Sequence, residues 1–255
     1  MGDESLAGRV VVVTGGNSGI GAGVARGCAN AGAAVAIWGR RESHNADIVD
    51  ELRTRGSDAD GFVVDVTDEE QVVDALAATV ERFGRVDTMV ANAGMNHTMP
   101  FLDTPTEHFR ALVRNNLESV FICWREAARH MVASGEGGAL VATSSIAAVG
   151  GQVGGEPYTA SKAGIEGMTR AVAKELGPHG IRVNTMVPGL ILTPIWGPAP
   201  ERNLADFIAA TSQATPVRRW GTPVDFESVG AFLADPSQVF HTGTCIVVDG
   251  AYTLA

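Results

Sequence analysis

One pair of side chains in the sequence has the types and spacing needed for acid–base chemistry. Tyr158 and Lys162 stand four residues apart, a spacing that points both side chains the same way on a helix. A phenol has a reference pKa of about 10, so it is a weak acid–base group by itself. An adjacent ammonium group stabilises the phenolate and lowers that pKa, which would suit Tyr158 to exchange a proton with a substrate.

Polar residues at the ends of two predicted strands are expected to lie near this pair. Ser145 lies thirteen residues before Tyr158, just after the apolar stretch 139–143, and an Asn-Ala-Gly run at 92–94 follows the preceding strand. In an open parallel sheet, ligands bind beyond the carboxyl ends of the strands. We therefore expect these strand ends and the helix that carries Tyr158 to converge on a single crevice.

A glycine-rich turn follows the first apolar run of the chain. The sequence TGGNSGIG, from Thr14 to Gly21, lies between a strand predicted at 9–14 and an alanine-rich helix predicted at 18–30. Glycines permit a sharp turn and let a pyrophosphate approach the backbone, and the N–H groups that open the following helix attract phosphate. Because the string stands between a strand and a helix, it predicts a dinucleotide site.

The residues after the second predicted strand bear on which dinucleotide binds. An Asp or Glu there usually holds the ribose 2′-hydroxyl of NAD, whereas a nearby Arg accommodates the 2′-phosphate of NADP. Here the strand at 34–38 is followed by Gly39, Arg40 and Arg41, with no acid. Arg40 can pair bidentately with a phosphate, so the sequence favours NADP. NAD stays open, because an arginine pair is also common on a solvated surface.

Short apolar runs alternate with segments of helical period along the whole chain, which predicts a parallel sheet wrapped by helices. The runs are continuous, as expected for strands buried on both faces. The predicted strands are 9–14, 34–38, 61–65, 87–91, 139–143, 181–187 and 245–248, with long helices at about 107–132 and 158–176. No linker or repeat divides the chain, so we predict one doubly wound α/β domain of the Rossmann type over residues 1–255, with about seven strands and helices on both faces. The proline-rich stretch 189–216 is the least regular, and we expect it to cover the site.

Composition excludes several classes of partner. The chain has 19 Lys and Arg against 29 Asp and Glu, and the resulting net charge of −10 disfavours nucleic acid and anionic lipid. The three cysteines are widely separated, which is typical of buried thiols in a reducing compartment, and neither they nor the six histidines have metal-ligand spacing. No signal peptide or apolar run of membrane-spanning length is present, so we expect a cytoplasmic protein without a metal.

Taken together, the motifs resemble those of the short-chain dehydrogenase/reductase family, in the family's order and over nearly the whole chain. They are TGGNSGIG (Thr14 to Gly21), ANAG (Ala91 to Gly94), Asn116 in NNL, Ser145, YTASK (Tyr158 to Lys162), and Pro188-Gly189 followed by Thr193. The resemblance implies hydride transfer between a nicotinamide cofactor and a carbonyl or alcohol. It also implies a homotetramer.

The resemblance assigns four catalytic residues. Tyr158 would be the general acid in carbonyl reduction and the base in alcohol oxidation. Lys162 would lower the pKa of Tyr158 and hold the nicotinamide-side ribose. Ser145 would hydrogen-bond the substrate oxygen, and Asn116 would hold a water that links Lys162 to solvent.

It also implies a cofactor site built from several loops. Asn92 would lie against the nicotinamide-side ribose, and Asp65 with Val66 would flank the adenine. The backbone at Ile191 and the side chain of Thr193 would fix the carboxamide. The whole implied set is Gly15, Asn17, Ser18, Gly19, Ile20, Gly21, Arg40, Asp65, Val66, Asn92, Ala93, Gly94, Tyr158, Lys162, Pro188, Gly189, Ile191 and Thr193.

The substrate is the least determined part of the prediction. Candidate lining residues come from the loops that flank the crevice, and their mixed polarity fits a ketone or secondary alcohol of moderate size: Asn96, His97, Gln152, Val153, Leu190, Ile195 and Trp196. Trp196 is as well suited to packing as to binding.

Two alternatives remain open. The first is a 3-oxoacyl-thioester reductase, since close family members act on acyl carrier protein. Those enzymes use basic residues to dock an acidic carrier, where this chain has Glu136 and His179, and its net charge should repel such a carrier. The argument from charge does not apply to a coenzyme A thioester, because such a substrate needs no acidic carrier protein. The second is a non-catalytic sensor or scaffold, which the presence of all four catalytic residues disfavours.

Overall fold

The computed structural model describes residues 4–196 and 204–255. Its centre is a seven-stranded, all-parallel sheet in the order β3-β2-β1-β4-β5-β6-β7. The strands are β1 (Val10–Thr14), β2 (Ala34–Gly39), β3 (Ala59–Val63), β4 (Thr88–Ala91), β5 (Gly138–Thr143), β6 (Ile181–Pro188) and β7 (Cys245–Val248). The strand order reverses between β1 and β4, so the predicted doubly wound sheet is confirmed.

Helices cover both faces of the sheet, each over its own hydrophobic core. One core packs α3 (Glu69–Phe83), α5 (Ser119–Ser134) and α7 (Glu156–Leu176) on the sheet, and the other packs α1 (Gly19–Asn30), α2 (Glu42–Thr54) and α9 (Glu227–Ala234). The remaining helices are α4 (Thr106–Val113), α6 (Ala147–Gly150) and α8 (Leu204–Ala214). In the described part of the chain, no helix combines the length and apolar character needed to cross a bilayer.

The edge strands differ from the prediction that every strand is buried on both faces. The central strands β1 and β6 are buried throughout, whereas exposure alternates along β3 and β7 is only partly buried. Val63 on β3 is 60% exposed and Val247 on β7 is 53% exposed. An edge strand has a neighbour on one side only, so a continuous apolar run does not guarantee burial there. The observed β3 also ends before Asp65, which places that carboxylate in the loop beyond the strand.

Three glycines of α1 let its backbone pack directly against other backbone. A Cβ at Gly23 would lie 1.9 Å from the carbonyl oxygen of Pro223, and one at Gly27 would lie 1.9 Å from that of Glu227. At the start of the helix, a Cβ on Gly21 would lie 2.4 Å from the carbonyl oxygen of Gly15. The glycines therefore let α1 pack closely between the glycine-rich turn and the segment that leads into α9.

The stretch 189–216, predicted to be irregular, is more ordered than its prolines indicated. Residues 194–196 form a single 3₁₀ turn, and residues 204–214 form α8. The middle of the stretch, residues 197–203, lies outside the described residues.

Candidate active site

A crevice of about 880 Å³ lies beyond the carboxyl ends of the central strands. Its walls come from the ends of β1, β4, β5 and β6, from the first turn of α7 and from the chain's C-terminal segment. Of the predicted residues, the crevice is lined by Gly15, Ser18, Gly19, Ile20, Asn92, Ala93, Gly94, Asn96, Ser145, Gln152, Tyr158, Lys162, Pro188, Gly189, Leu190, Ile191, Thr193, Ile195 and Trp196. The predicted convergence of strand ends on one crevice is thus observed.

A continuous polar network ties the strand ends together beneath this crevice. The Thr14 hydroxyl at the end of β1 accepts hydrogen bonds from the N–H groups of Asn92 and Ala93, both at 3.0 Å. The Thr143 hydroxyl at the end of β5 donates to Asn92 Oδ1 at 3.0 Å. The carbonyl of Thr143 accepts a hydrogen bond from Lys162 Nζ at 2.7 Å. The hydroxyls of Thr14 and Thr143 therefore fix the segment that begins at Asn92, and the Thr143 carbonyl fixes the Lys162 ammonium beside it.

Tyr158 and Lys162 are both buried on α7, one turn apart. Tyr158 is 8% exposed, and Lys162 Nζ lies 5.5 Å from the centroid of its ring. Burial lowers the pKa of Lys162 to about 8, and burial raises the pKa of Tyr158, an effect that a hydrogen bond with Ser145 opposes. The protein's own groups therefore keep the phenol protonated at neutral pH.

Two consecutive serines at the end of β5 face different neighbours. Ser145 lies on the crevice wall beside Tyr158, and its Oγ accepts a hydrogen bond from the N–H of Ala147 at 3.2 Å. Ser144 is buried and its Oγ lies 2.9 Å from Glu166 Oε1 on α7. Ser145 thus faces the crevice next to Tyr158, whereas Ser144 binds the strand end to the helix.

Asn116 lies in a π-helical segment, residues 114–118, that joins α4 to α5. Its buried side chain makes two hydrogen bonds to the backbone of Met95, accepting from the N–H and donating to the carbonyl, both at 2.8 Å. A Cβ at Gly94 would lie 3.1 Å from Asn116 Oδ1 and 3.4 Å from Lys162 Nζ, so this glycine leaves a gap between the two side chains. Asn116 fixes the loop after β4, and π-helical segments are frequent at functional sites. Its role in holding a water stays a prediction.

The glycine-rich turn presents backbone to the crevice. Gly15 and Gly19 have φ angles of +62° and +54°, a conformation that other residues rarely adopt. A Cβ on Gly19 would lie 3.3 Å from the side chain of Thr193, so this threonine lies directly against the turn. The turn and the start of α1 leave the open backbone cradle that a pyrophosphate needs, and the residues present fit a nicotinamide dinucleotide.

Asn17 and Gly21 are in the turn but are not on the crevice wall. Gly21 serves the packing of α1 described above. Asn17 donates to Asn45 Oδ1 at 2.7 Å, and the buried Asn45 donates to the carbonyls of Gly39 and Phe62 at 2.8 and 3.0 Å. Asn45 therefore joins the turn to the ends of β2 and β3. The sequence prediction missed it, because a single Asn within a helix carries no signal of such a role.

The predicted adenosine residues lie at the ends of β2 and β3, beyond the crevice wall. Arg40 is exposed, and Val66 is buried. Asp65 accepts hydrogen bonds from the N–H and hydroxyl of Thr67, which lower its pKa, and the charges of Arg40 and Arg114 add to that effect. Arg40 thus stands near Asp65 with its guanidinium open to a ligand.

An aromatic cluster holds the segment after β6 in place. Trp196 lies 5.0 Å from Trp220 and 6.2 Å from Phe207 of α8, measured between ring centroids. The Trp196 indole donates to the carbonyl of Ile191 at 2.7 Å. Trp196 therefore both lines the crevice and packs, as the sequence left open.

Two predicted substrate residues are not on the crevice wall. Val153 is fully exposed, and His97 packs edge-on against His108 with ring centroids 4.9 Å apart. Each follows a residue that does line the crevice, and the chain turns away after Asn96 and after Gln152. Further residues line the crevice that the sequence did not single out, most of them apolar or small: Met95, Thr143, Ser144, Ile146, Ala147, Val149, Gly150, Gly151, Pro194, Phe207, Tyr252 and Thr253.

Comparisons with known proteins agree with this geometry. A family model described as enoyl-(acyl carrier protein) reductase matches residues 15–253. The L-rhamnose 1-dehydrogenase (NAD(P)(+)) of Sphingomonas sp. (strain SKA58) is 38% identical, with 96% of each chain covered. A short-chain type dehydrogenase/reductase from Mycobacterium marinum superposes with a TM-score of 0.92 at 35% identity, covering 99% of each chain. This chain belongs to the short-chain dehydrogenase/reductase family.

Membership of this family makes the chain an NAD(P)-dependent oxidoreductase that acts on alcohols or ketones. A related structure from Beutenbergia cavernae holds NADP at low occupancy; it is 33% identical, covers all of both chains and has a TM-score of 0.91. Within the described residues, no group of three or more His, Cys, Asp or Glu side chains could hold a metal ion.

Proposed function

We propose that this enzyme interconverts a ketone and a secondary alcohol, with NADP as its favoured cofactor and Tyr158 as the group that gives or takes the proton. The observation that carries the proposal is the buried Tyr158 hydroxyl beside Ser145, with the Lys162 ammonium fixed behind it by Thr143. A small substrate oxygen that reaches Ser145 in this crevice also reaches Tyr158.

A nicotinamide dinucleotide bound along the crevice would supply the hydride for reduction and accept it in oxidation. The backbone of the glycine-rich turn would hold its pyrophosphate, and Asn92, fixed by Thr14 and Thr143, would face the nicotinamide-side ribose. Thr193, which lies against Gly19, would hold the carboxamide.

The protein's own part is to hold the substrate oxygen and move the proton. In reduction, Tyr158 gives its hydroxyl proton to the carbonyl oxygen while Ser145 donates a second hydrogen bond to that oxygen. Lys162 stabilises the resulting phenolate, and the proton is then restored from solvent. Asn116 borders the gap at Gly94 next to Lys162, so a water placed there would connect the ammonium to Asn116.

NADP is favoured by the charge at the end of β2. Arg40 is exposed and directly follows β2, where an acid usually binds the ribose 2′-hydroxyl of NAD. A 2′-phosphate would take the place of water around the Arg40 guanidinium.

The quaternary state and location are also part of the proposal. Exposed apolar side chains, Phe121 on α5 and Val247 on β7, lie on elements through which a homotetramer would assemble. Sedimentation equilibrium would test the tetramer, and fractionation of cells would test the proposed cytoplasmic location.

We further propose that residues 1–255 fold as one domain and that the stretch 189–216 covers bound substrate.

The test is an NAD(P)H-oxidation assay on a panel of ketones, quinones, sugars and 3-oxoacyl thioesters, run separately with NADPH and NADH. We expect turnover of a ketone with a higher kcat/KM for NADPH. Turnover confined to coenzyme A or carrier-protein thioesters would favour the thioester-reductase alternative instead. Binding of NADPH with no turnover in either direction across the panel would contradict the proposal and favour a sensor.

A further inference from the structure

Four exposed apolar side chains lie on the wall of the crevice that holds Tyr158. They are Met95, Val149, Ile195 and Phe207, and Val149 is 82% exposed. Single exposed apolar residues are common on any protein surface, but a group of them in one concave site is typical of a ligand-binding surface. These four residues, the apolar patch, are accessible from the crevice, and an apolar ligand that covers them is stabilised by the hydrophobic effect.

The apolar patch is separate from the residues that the sequence implies for the dinucleotide. Met95 follows β4, Val149 belongs to α6, Ile195 lies in the 3₁₀ turn 194–196 and Phe207 lies on α8. None of them is part of the implied cofactor set. The patch is therefore left for the substrate, whose reacting oxygen lies at Tyr158 in the same crevice.

Phe207 is held in place by buried neighbours. Its ring packs edge-on against Trp220, with the ring centroids 5.7 Å apart, and Trp220 is buried. The Trp220 indole donates to the hydroxyl of Thr211, which lies on α8 with Phe207, at 2.7 Å. The Phe207 ring is thus positioned before a ligand arrives, which lowers the entropy that binding costs.

The crevice wall offers no free cation to a charged substrate. Among residues 4–196 and 204–255, Lys162 is the one charged side chain that lines the crevice. Lys162 is buried, and its ammonium donates to the carbonyl of Thr143. A carboxylate placed against apolar side chains loses its hydration without gaining a partner, and the net charge of −10 repels it further. The wall therefore favours a neutral ligand.

We infer that the apolar patch binds a hydrocarbon group of the substrate, so the enzyme prefers neutral ketones with an extended apolar group to short ketones and to ketones that carry a carboxylate. This inference rests on the proposed function, because it assigns the part of the same substrate that lies away from the reacting carbonyl. Each methylene group that the patch covers should raise kcat/KM about three- to fourfold, the factor that corresponds to about 0.8 kcal/mol per buried CH₂.

The experiment compares 2-butanone, 2-hexanone and 2-octanone with 7-oxooctanoate, which has the length of 2-octanone and carries a terminal carboxylate. We expect kcat/KM to rise along the three ketones and to be at least tenfold higher for 2-octanone than for 2-butanone or 7-oxooctanoate. If 2-butanone or 7-oxooctanoate is reduced as efficiently as 2-octanone, the inference fails while the proposed function stands.

Val149→Lys should change the preference of the apolar patch. The position is largely exposed, so the fold tolerates the longer side chain, and the new ammonium can pair with a carboxylate. We expect the ratio of kcat/KM for 7-oxooctanoate to that for 2-octanone to rise at least tenfold. Val153→Lys adds the same charge at a fully exposed position off the crevice wall, and it should keep the wild-type ratio within about twofold. An unchanged ratio in Val149→Lys, or an equal rise in Val153→Lys, overturns the inference.

Calorimetry with the NADP⁺-bound protein gives a readout that does not need turnover. We expect 2-octanol to bind at least tenfold more tightly than 2-butanol, and Val149→Lys should reduce this difference at least threefold whereas Val153→Lys should keep it. Equal binding of the two alcohols by the wild-type protein overturns the inference. If no ketone is reduced but 2-octanol still binds more tightly and Val149→Lys weakens that preference, the proposed function fails and the assignment of the apolar patch stands.

Discussion

Replacing the buried Lys162 by Met tests how strongly burial destabilises this ammonium. Its pKa falls from the reference 10.5 to about 8 because it is removed from water. Since the pKa is lower in the folded state, the unfolded chain binds more protons between these two values, and the stability that wild type loses at neutral pH returns as pH rises. At about 1.4 kcal/mol per pKa unit, the charge costs about 3 kcal/mol at pH 7 and about 1 kcal/mol at pH 9.5.

Methionine fills a similar space without the charge, so it removes the cost of burying the ammonium. It also removes the hydrogen bond from Nζ to the Thr143 carbonyl, and the loss of this bond destabilises the variant by about 1–3 kcal/mol. That loss does not depend on pH, so the difference between the two pH values isolates the charge. We expect the free energy of unfolding of Lys162→Met, relative to wild type, to fall by about 2 kcal/mol from pH 7 to pH 9.5.

The assay is urea unfolding of both proteins at four pH values between 7 and 9.5, followed by circular dichroism. Other titrating groups, including the buried Cys28 and Cys123, are common to both proteins and cancel. A free-energy difference that stays constant across this range would refute the reasoning, because it would mean that the fold does not perturb the Lys162 ammonium.

Three further substitutions test other parts of the account. Arg40→Ser should raise the KM for NADPH ten- to a hundredfold in steady-state kinetics and leave that for NADH within about twofold, since a charge-assisted hydrogen bond contributes about 1.5–3 kcal/mol. An unchanged KM for NADPH in Arg40→Ser would show that Arg40 is not the phosphate ligand, and Arg41→Ser is the matched control. Asn45→Ala should lower the free energy of unfolding, measured in urea, by about 2–4 kcal/mol, because two backbone carbonyls and the Asn17 amide lose their hydrogen-bond partner. A loss below about 1 kcal/mol would show that these hydrogen bonds do not stabilise the fold. Gly27→Ala should lower the thermal midpoint by at least several degrees, since its Cβ would lie 1.9 Å from the Glu227 carbonyl oxygen, whereas Gly167→Ala, with open space around it on α7, should not lower it.

The parts predicted well from sequence are those that local patterns determine. Continuous valine-rich runs locate the central strands within a residue or two, and β7 was placed at its observed residues. The glycines of the TGGNSGIG turn have positive φ angles or close contacts that other residues rarely allow. The spacing of these glycines in the sequence therefore predicts the conformation of the turn. The catalytic candidates Ser145, Tyr158 and Lys162 come together for the same reason, because parallel strands end at one edge of the sheet.

The parts that failed depend on contacts between distant segments. The Asn45 bonds, the π-helical segment around Asn116 and the exposure of β3 and β7 arise only once the sheet and helices have assembled. The prolines in the stretch 189–216 led to the prediction of an irregular segment, although the apolar residues of α8 have helical spacing. The packing of Phe207 on Trp220, which holds α8 in place, could not be foreseen from the sequence. His97 and Val153 were assigned to the crevice by proximity in sequence, and the direction in which a loop turns cannot be read from neighbouring residues.

The most direct test of the central claim is ketone reduction by Tyr158→Phe, with NADPH affinity measured alongside by cofactor fluorescence. Phenylalanine preserves the ring that packs in the crevice and removes only the proton donor. We predict that NADPH binds within about threefold of wild type while kcat falls by about 10²–10⁴, the usual contribution of a positioned general acid. A variant that binds NADPH and reduces the ketone at the wild-type rate would contradict the assignment of Tyr158 as the proton donor.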